Sequence, residues 1–471
     1  MKTTTTPIVI RYSSICSIFF VSLWFLILLV FLFRIQTSSS SSSSILLLLY
    51  SSSSDPDPPA APTSSCHIPN ASVYVYQLPP KFNAGLLRDC RHLNVYTDMC
   101  PHVANRGLGQ PLPEMGPSWF ATHQFIAEMI FHARMENHPC RVLHPHDATL
   151  FYVPFYGGLH ASSNFRQPDL AARDRLALDL ADYLTGQPWW GRRGGRDHFL
   201  ALGRTAWDFM RRDDDDDPAA DFGANCLLNL APIKNMSVLS VERHPWEGHN
   251  QRGIPYPSYF HPLRRDELVT WQNRMRRISR PHLFSFAGAP RSGVEKAAIR
   301  DEIIRQCGES RRCRLLKCGR SGATECHNPS TIIHQVMSRS HFCLQAPGDS
   351  FTRRSTFDSV LAGCIPVFFS PHTAYTQYQW YLPPDRSDYS VYMDHDDEDK
   401  TVINIEEELL KIPEEKVEMM RRRVIALIPT LTYLHPNSTN SAAAGEGPVL
   451  WDAVDVALQH LSSNSSPPLY D

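Results

Sequence analysis

The longest hydrophobic stretch runs from Tyr12 to Phe33, where apolar residues follow one another with no charge until Arg34. Its length matches the roughly 20 residues a helix needs to cross a hydrocarbon core. A cleaved leader has a shorter apolar region ending in small residues, whereas large residues flank this run, so a transmembrane anchor is expected over residues 12–34. Lys2, Arg11 and the terminal amine precede the run and only Arg34 follows closely, which places a tail of residues 1–11 in the cytosol and the remainder in a lumen. Residues 35–72 contain the serine run Ser38–Ser44 and the segment Asp55-Pro56-Asp57-Pro58-Pro59. Such a composition buries too little apolar surface to order itself and reads as a disordered stem.

From Val73 onward short apolar runs alternate with helical periodicity, the pattern of α/β layers with largely parallel sheets. Strands are expected at Val73–Gln77, Thr149–Pro154, His198–Gly203, Val238–Glu242, Leu283–Gly288, His341–Gln345 and Ile365–Phe369. Trp119, His123, Ile126, Ile130 and Ala133 recur at helical spacing after Ser118, and further helices are expected over Asp169–Leu184 and the basic segment Leu263–Arg280. Pro281 then marks a boundary between a first domain, 73–280, and a second, 281–430; residues 431–471 form a partly disordered extension with a helix near 449–461.

Lys plus Arg total 46 against 48 Asp plus Glu, and a net charge of −2 provides no field to gather nucleic acid. Of twelve cysteines, Cys16 lies in the apolar run and eleven lie beyond it, so in an oxidising lumen several pair and at least one stays free or pairs between chains. Cys307, Cys313, Cys318 and Cys326 lack paired Cys-x-x-Cys spacing, which favours disulfides over zinc. Glycosylation sequons stand at Asn70, Asn235, Asn437 and Asn464. The acidic runs Asp213–Asp217 and Asp394–Asp399 read as solvated loops, because adjacent acids repel and do not all face one ion.

The segment from Phe342 to Phe369 reads as strand, Pro-Gly turn, helix, glycine and strand, a complete βαβ unit. Phe357, Val360, Leu361 and Cys364 form its buried stripe; Ser350, Arg354 and Asp358 lie on another face. A nucleotide diphosphate at this helix start would meet unpaired N–H groups and the guanidinium groups of Arg353 and Arg354. Asp358 could accept from ribose hydroxyls. An ordinary i, i+4 surface pair of Arg354 with Asp358 explains the spacing equally well.

This segment resembles the nucleotide-sugar motif of the exostosin-like glycosyltransferase family 47, especially its plant branch of xyloglucan galactosyltransferases. Val73–Phe82, His146–Tyr156, Gly194–Phe199, Trp207–Phe209, Ile254–Pro262 and Phe286–Arg291 resemble that family in the same order, so the likeness covers about residues 73 to 430. The resemblance implies a GT-B fold of two facing Rossmann-like domains, with acceptor in the first and UDP-sugar in the second. It further implies a type II Golgi membrane protein that inverts the anomeric centre, takes a UDP-sugar as donor substrate and needs no metal or other cofactor. Galactose passing from UDP-galactose to xylosyl branches of xyloglucan is the leading expectation. Another UDP-sugar, of galacturonic acid or a pentose, and a non-catalytic glycan-binding subunit of a Golgi complex with other glycosyltransferases are the alternatives.

Inversion by a single displacement requires one base, expected from the first domain. Asp197 and His198, which follow a glycine turn, and Glu242 are the nominated residues, with Asp147 and Asp208 competing. Gly288 and Arg291 follow a strand where a short loop can approach donor phosphates, joining Ser350, Arg353, Arg354 and Asp358 as donor-binding residues. Trp189, Trp190, Trp207, Trp246, Tyr256 and Tyr259 are aromatic residues able to stack on sugar rings, although most large aromatics are core. Tyr375, Tyr378 and Trp380 could flank uracil, with packing the simpler account.

Overall fold

Parallel strands buried on both faces read as continuous apolar runs, and Leu150–Val153 and Ile365–Phe368 are buried at every residue. In the computed structural model, which describes residues 66–212, 223–291, 293–319, 326, 328–394, 403–438 and 450–464, such runs form the centres of two sheets. The anchor expected over residues 12–34, the tail before it and the acidic run Asp213–Asp217 lie outside the described residues. Among the described residues no helix is long and apolar enough to cross a membrane.

The first sheet contains β1 (Val73–Val75), β2 (Arg141–Val142), β3 (Leu150–Val153), β4 (His198–Thr205), β5 (Ser237–Glu242) and β6 (Gln251–Gly253), in the order β2-β1-β3-β4-β5-β6. The second contains β7 (His282–Gly288), β8 (Cys313–Lys317), β9 (Ser340–Gln345), β10 (Ile365–Phe368) and β11 (Val391–Tyr392), in the order β11-β10-β9-β7-β8. Every neighbouring pair is parallel. The longer helices are α1 (Ala127–Glu136), α2 (Gly157–Asn164), α3 (Leu170–Thr185), α4 (Arg265–Arg277), α5 (Ile299–Glu309), α6 (Arg354–Leu361), α7 (Glu414–Leu427) and α8 (Ala453–Asn464). The result is two parallel-sheet α/β lobes, consistent with a GT-B-like fold.

Three expectations change. Residues from Ser118 to Ile126 are not helical: Trp119 bridges Phe260, Phe120 donates its N–H to the Tyr259 carbonyl, and the helix begins only at Ala127. Although α4 lies ahead of the expected boundary, it belongs by packing to the second lobe, where the Trp271 indole N–H donates to Leu361 O at 2.8 Å and Gln272 Nε2 to Ile425 O at 2.8 Å. The folded region also begins before Val73, because Ile68 and Ala71 are buried and Cys66 is bonded to Cys140.

Four further disulfides join Cys90 to Cys100, Cys307 to Cys313, Cys318 to Cys326 and Cys343 to Cys364. The last ties β9 to the start of β10 across the βαβ unit. Cys226 is a free thiol, pushed up to about 12 by burial and by the neighbouring Asp174 carboxylate. The sequon asparagines Asn70, Asn235 and Asn437 are all exposed.

The chain's C-terminal helix returns to the first lobe. Asp452, which precedes α8, accepts from Arg134 Nε of α1 at 2.8 Å, and both groups are buried. Asp455 Oδ1 lies 2.9 Å from Nε2 of both His67 and His138. These three side chains are close enough to suggest a metal site. However, the backbone N–H of Cys140 donates to His138 Nδ1 at 3.1 Å, which leaves the ring proton on Nε2 for Asp455 and makes the cluster a hydrogen-bonded clasp. Replacing Arg134 by alanine should strand a buried Asp452 carboxylate and cost about 3–5 kcal/mol. The expected outcome in chemical denaturation is a large fall in midpoint, whereas Arg422→Ala, at an exposed pair with Glu418, should move it by less than about 0.5 kcal/mol.

Candidate functional site

In parallel α/β sheets ligands gather at the carboxyl ends of the strands, where a following helix offers unpaired N–H groups to an anion. The two lobes treat this position differently. In the first lobe Glu128, projecting from α1, fills it. Its Oε2 accepts from the N–H groups of Gly158 and Gly203 at 2.8 and 2.9 Å, and its Oε1 accepts from that of Leu159 at 2.8 Å. Burial pushes this carboxyl up to about 7 against the opposing pull of those three hydrogen bonds. Gly158 makes the approach possible, since a Cβ there would lie 2.6 Å from Glu128 Oε2. The anion position of this lobe is therefore occupied by the protein's own carboxylate.

In the second lobe the equivalent position lies between β9 and α6, at the loop Ala346–Thr352, and it collects cations. Arg353 caps α6 and donates through Nη1 to Thr352 O at 3.0 Å and Ser350 Oγ at 3.3 Å. Arg300, from α5, donates to the carbonyls of Ala289, Ala346 and Pro347 at 2.8, 3.2 and 3.0 Å. Gly288 leaves room for it, because a Cβ there would meet Arg300 Nη2 at 2.5 Å. Arg291 reaches the same loop through Asp349, 3.2 Å away. Burial, together with the positive charges of Arg353 and Arg291, pushes Arg300 down to about 10. Three guanidinium groups thus surround one loop whose own carboxylate is Asp349, an arrangement that a bound polyanion would relieve.

Glu242 ends β5 and joins this loop to the first lobe. Its Oε1 accepts from the Trp207 indole N–H at 3.0 Å, and its Oε2 accepts from the Thr352 N–H at 2.7 Å and from the Thr352 hydroxyl. No part of the side chain is open to solvent. Beside it, Trp207, His244, Trp246, Phe351 and His372 form a chain of ring contacts that crosses between the lobes.

The remaining nominated residues are placed otherwise. Arg354 and Asp358 do not present an open face: Arg354 lies 4.1 Å over the Tyr259 ring and donates to Thr122 O at 3.0 Å, while Asp358 accepts from Ser258 Oγ at 2.6 Å. Both bind the first lobe, and burial raises the Asp358 carboxyl above its ordinary value. The ribose role expected of Asp358 therefore has no accessible oxygen here. Asp197 and His198 lie at the amino end of β4, seven residues, or roughly 23 Å, from the Thr205 that pairs with Glu242. Asp197 is bonded to the solvent-facing Arg192 and to His198 Nδ1, and His198 Nε2 to the Tyr76 hydroxyl, with Asp197, His198 and Tyr76 all buried. Asp208 is paired with Arg204, and Asp147 is a half-exposed neighbour of His146. Trp189 and Trp190 pack near His198, at the far end of the sheet, and Tyr256, Tyr259, Tyr375 and Tyr378 are buried.

Arg300, Thr352, Phe351 and Lys296 were not singled out by the sequence. Arg300 alone left a trace, as a cation that recurs with Ile303 and Cys307 on the buried face of α5.

A family model described as the Exostosin GT47 domain matches residues 69–409. Among curated relatives, the Arabidopsis thaliana protein named probable xyloglucan galactosyltransferase GT17 is 63% identical over 396 residues, covering 84% of this chain and 83% of that one. Xyloglucan galactosyltransferase MUR3 of the same species is 46% identical over 392 residues, 82% of this chain and 61% of that protein. Xyloglucan-specific galacturonosyltransferase 1, also from Arabidopsis thaliana, is 41% identical over 369 residues, 78% of this chain and 54% of that one. With the family model spanning most of the chain and these relatives aligned across the same lobes, the chain belongs to the exostosin GT47 family.

Proposed function

We propose that this chain is an inverting glycosyltransferase that moves galactose from UDP-galactose to xylosyl side chains of xyloglucan. The observation that carries the reading is the contrast between the lobes: one helix start is filled by Glu128, and the other is ringed by Arg291, Arg300 and Arg353. A UDP diphosphate fits the second. The acceptor hydroxyl gives its proton to a general base as its oxygen attacks the anomeric carbon, the bond from that carbon to the β-phosphate oxygen breaks, and that bond's electron pair leaves on UDP, where the guanidinium groups offset the charge. This needs no metal, and the removal of divalent ions by EDTA should leave the rate unchanged. The names of the relatives supply the acceptor and the sugar; the relative named as a galacturonosyltransferase keeps UDP-galacturonic acid as a second donor.

On the same reading the chain is a Golgi protein with a type II anchor at residues 12–34 and its lobes in the lumen. Support comes from the apolar run itself, five disulfides and three exposed sequon asparagines.

Incubation of the purified protein with a panel of UDP-sugars and xyloglucan oligosaccharides, read by mass spectrometry, should show a hexose gain with UDP-galactose. A uronic acid gain alone would establish the second donor, and binding of the glycan without transfer would make the chain a binding subunit. Arg353→Ala should weaken UDP binding, measured by calorimetry, by about ten- to a hundredfold, the range for a hydrogen bond to a charged group. Glu242, with each oxygen already engaged, is assigned to holding the donor loop rather than to taking the acceptor proton. Glu242→Gln should therefore weaken UDP binding as well as slow turnover; loss of turnover with unchanged UDP affinity would make Glu242 the base.

A further inference from the structure

Trp246 is 59% exposed, an aromatic face open to solvent beside the cationic loop. It is nevertheless held on several sides. His244 of the first lobe meets it at 5.6 Å and 72°, Phe351 of the donor loop at 6.0 Å and 77°, and His372 at 5.3 Å and 69°. Trp207, at 6.4 Å and 73°, completes the set. All four rings stand nearly perpendicular to the indole, so none is stacked flat on it. Its backbone N–H donates to His244 Nδ1, as does that of Glu247 at 2.8 Å. With Nδ1 accepting twice and burial holding the ring neutral, the His244 proton resides on Nε2, which is a donor and not a base. Lys296 stands 5.9 Å from the Trp207 ring and 5.0 Å from the Phe351 ring, with no carboxylate partner among the described residues.

We propose that Trp246, framed by His244, Phe351 and Lys296, is a stacking platform for a neutral pyranose ring of the glycan acceptor. This rests on the glycosyltransferase reading and adds to it the place where the acceptor lies. An apolar sugar face covers the indole, and ring hydroxyls take the His244 Nε2 proton and the Lys296 ammonium as hydrogen-bond donors. The location follows from continuity. Phe351 belongs to the donor loop, and Trp207 is bonded to Glu242, which is bonded in turn to Thr352 beside Arg353. A ring on Trp246 is thereby set next to the cationic loop proposed for the diphosphate.

The test compares wild-type protein with Trp246→Ala and Trp246→Phe, after circular dichroism has established that each is folded. For the alanine variant the acceptor KM should rise about tenfold while the calorimetric Kd for UDP stays within about twofold; phenylalanine should restore most of the acceptor affinity. An unchanged acceptor KM overturns the platform. So does an equal loss of UDP affinity, which would assign Trp246 to shaping the donor loop through Phe351. If wild-type protein transfers no sugar, the transferase reading fails separately, and calorimetry with xyloglucan oligosaccharide decides the platform alone. Binding to wild type that is lost in Trp246→Ala supports it, and equal binding or none overturns it.

Discussion

A carboxylate buried between two lobes is tolerated only if both lobes supply its hydrogen bonds, and Glu242 meets that condition with the Trp207 indole from one side and Thr352 from the other. Separating the lobes would break the Thr352 hydrogen bonds to Glu242, so the junction is held at the end of the loop Ala346–Thr352. Neighbouring contacts share the task. Gln377 exchanges hydrogen bonds with the backbone of Arg243, the Tyr378 hydroxyl donates to Val241 O, and Ser258 donates to Asp358. The junction is polar and densely bonded, and the functional groups around it inherit fixed positions from it.

The lobes share an architecture and differ in charge at one equivalent point. Two parallel α/β layers offer two helix starts, and the unpaired N–H groups of a helix start invite an anion. Glu128 closes the first from within, while Arg291, Arg300 and Arg353 hold the second ready. A single internal carboxylate thus sets the charge difference between the two lobes, and the proposed placement of the nucleotide rests on that difference.

The central strands were legible because each is an apolar run buried on both faces. β2, β6, β8 and β11 were not: each lies at a sheet edge, and they are short or, as in Cys313-Arg-Leu-Leu-Lys317, flanked by charge. The βαβ unit was legible as a unit, yet the direction of its polar face was not, since i, i+4 spacing cannot tell solvent from a second lobe. Arg354 and Asp358 read from the sequence as ligand groups, and in the structure both bond across to the first lobe. Asp197 and His198 stand at a strand's amino end, which a glycine turn precedes as readily as it lines a cleft. Arg300 could be found only in three dimensions, where a helix far along the chain delivers it to the loop.

Among the described residues five disulfides share the fold with one unpaired thiol, Cys226, and a thiolate is the species that attacks disulfides and reshuffles them. Held at about 12 by burial and by Asp174, Cys226 keeps its proton at neutral pH and is almost never that species. Cys226 is thus chemically silent toward its own neighbours, and among the described residues the cross-links, once formed, have no internal catalyst for their exchange.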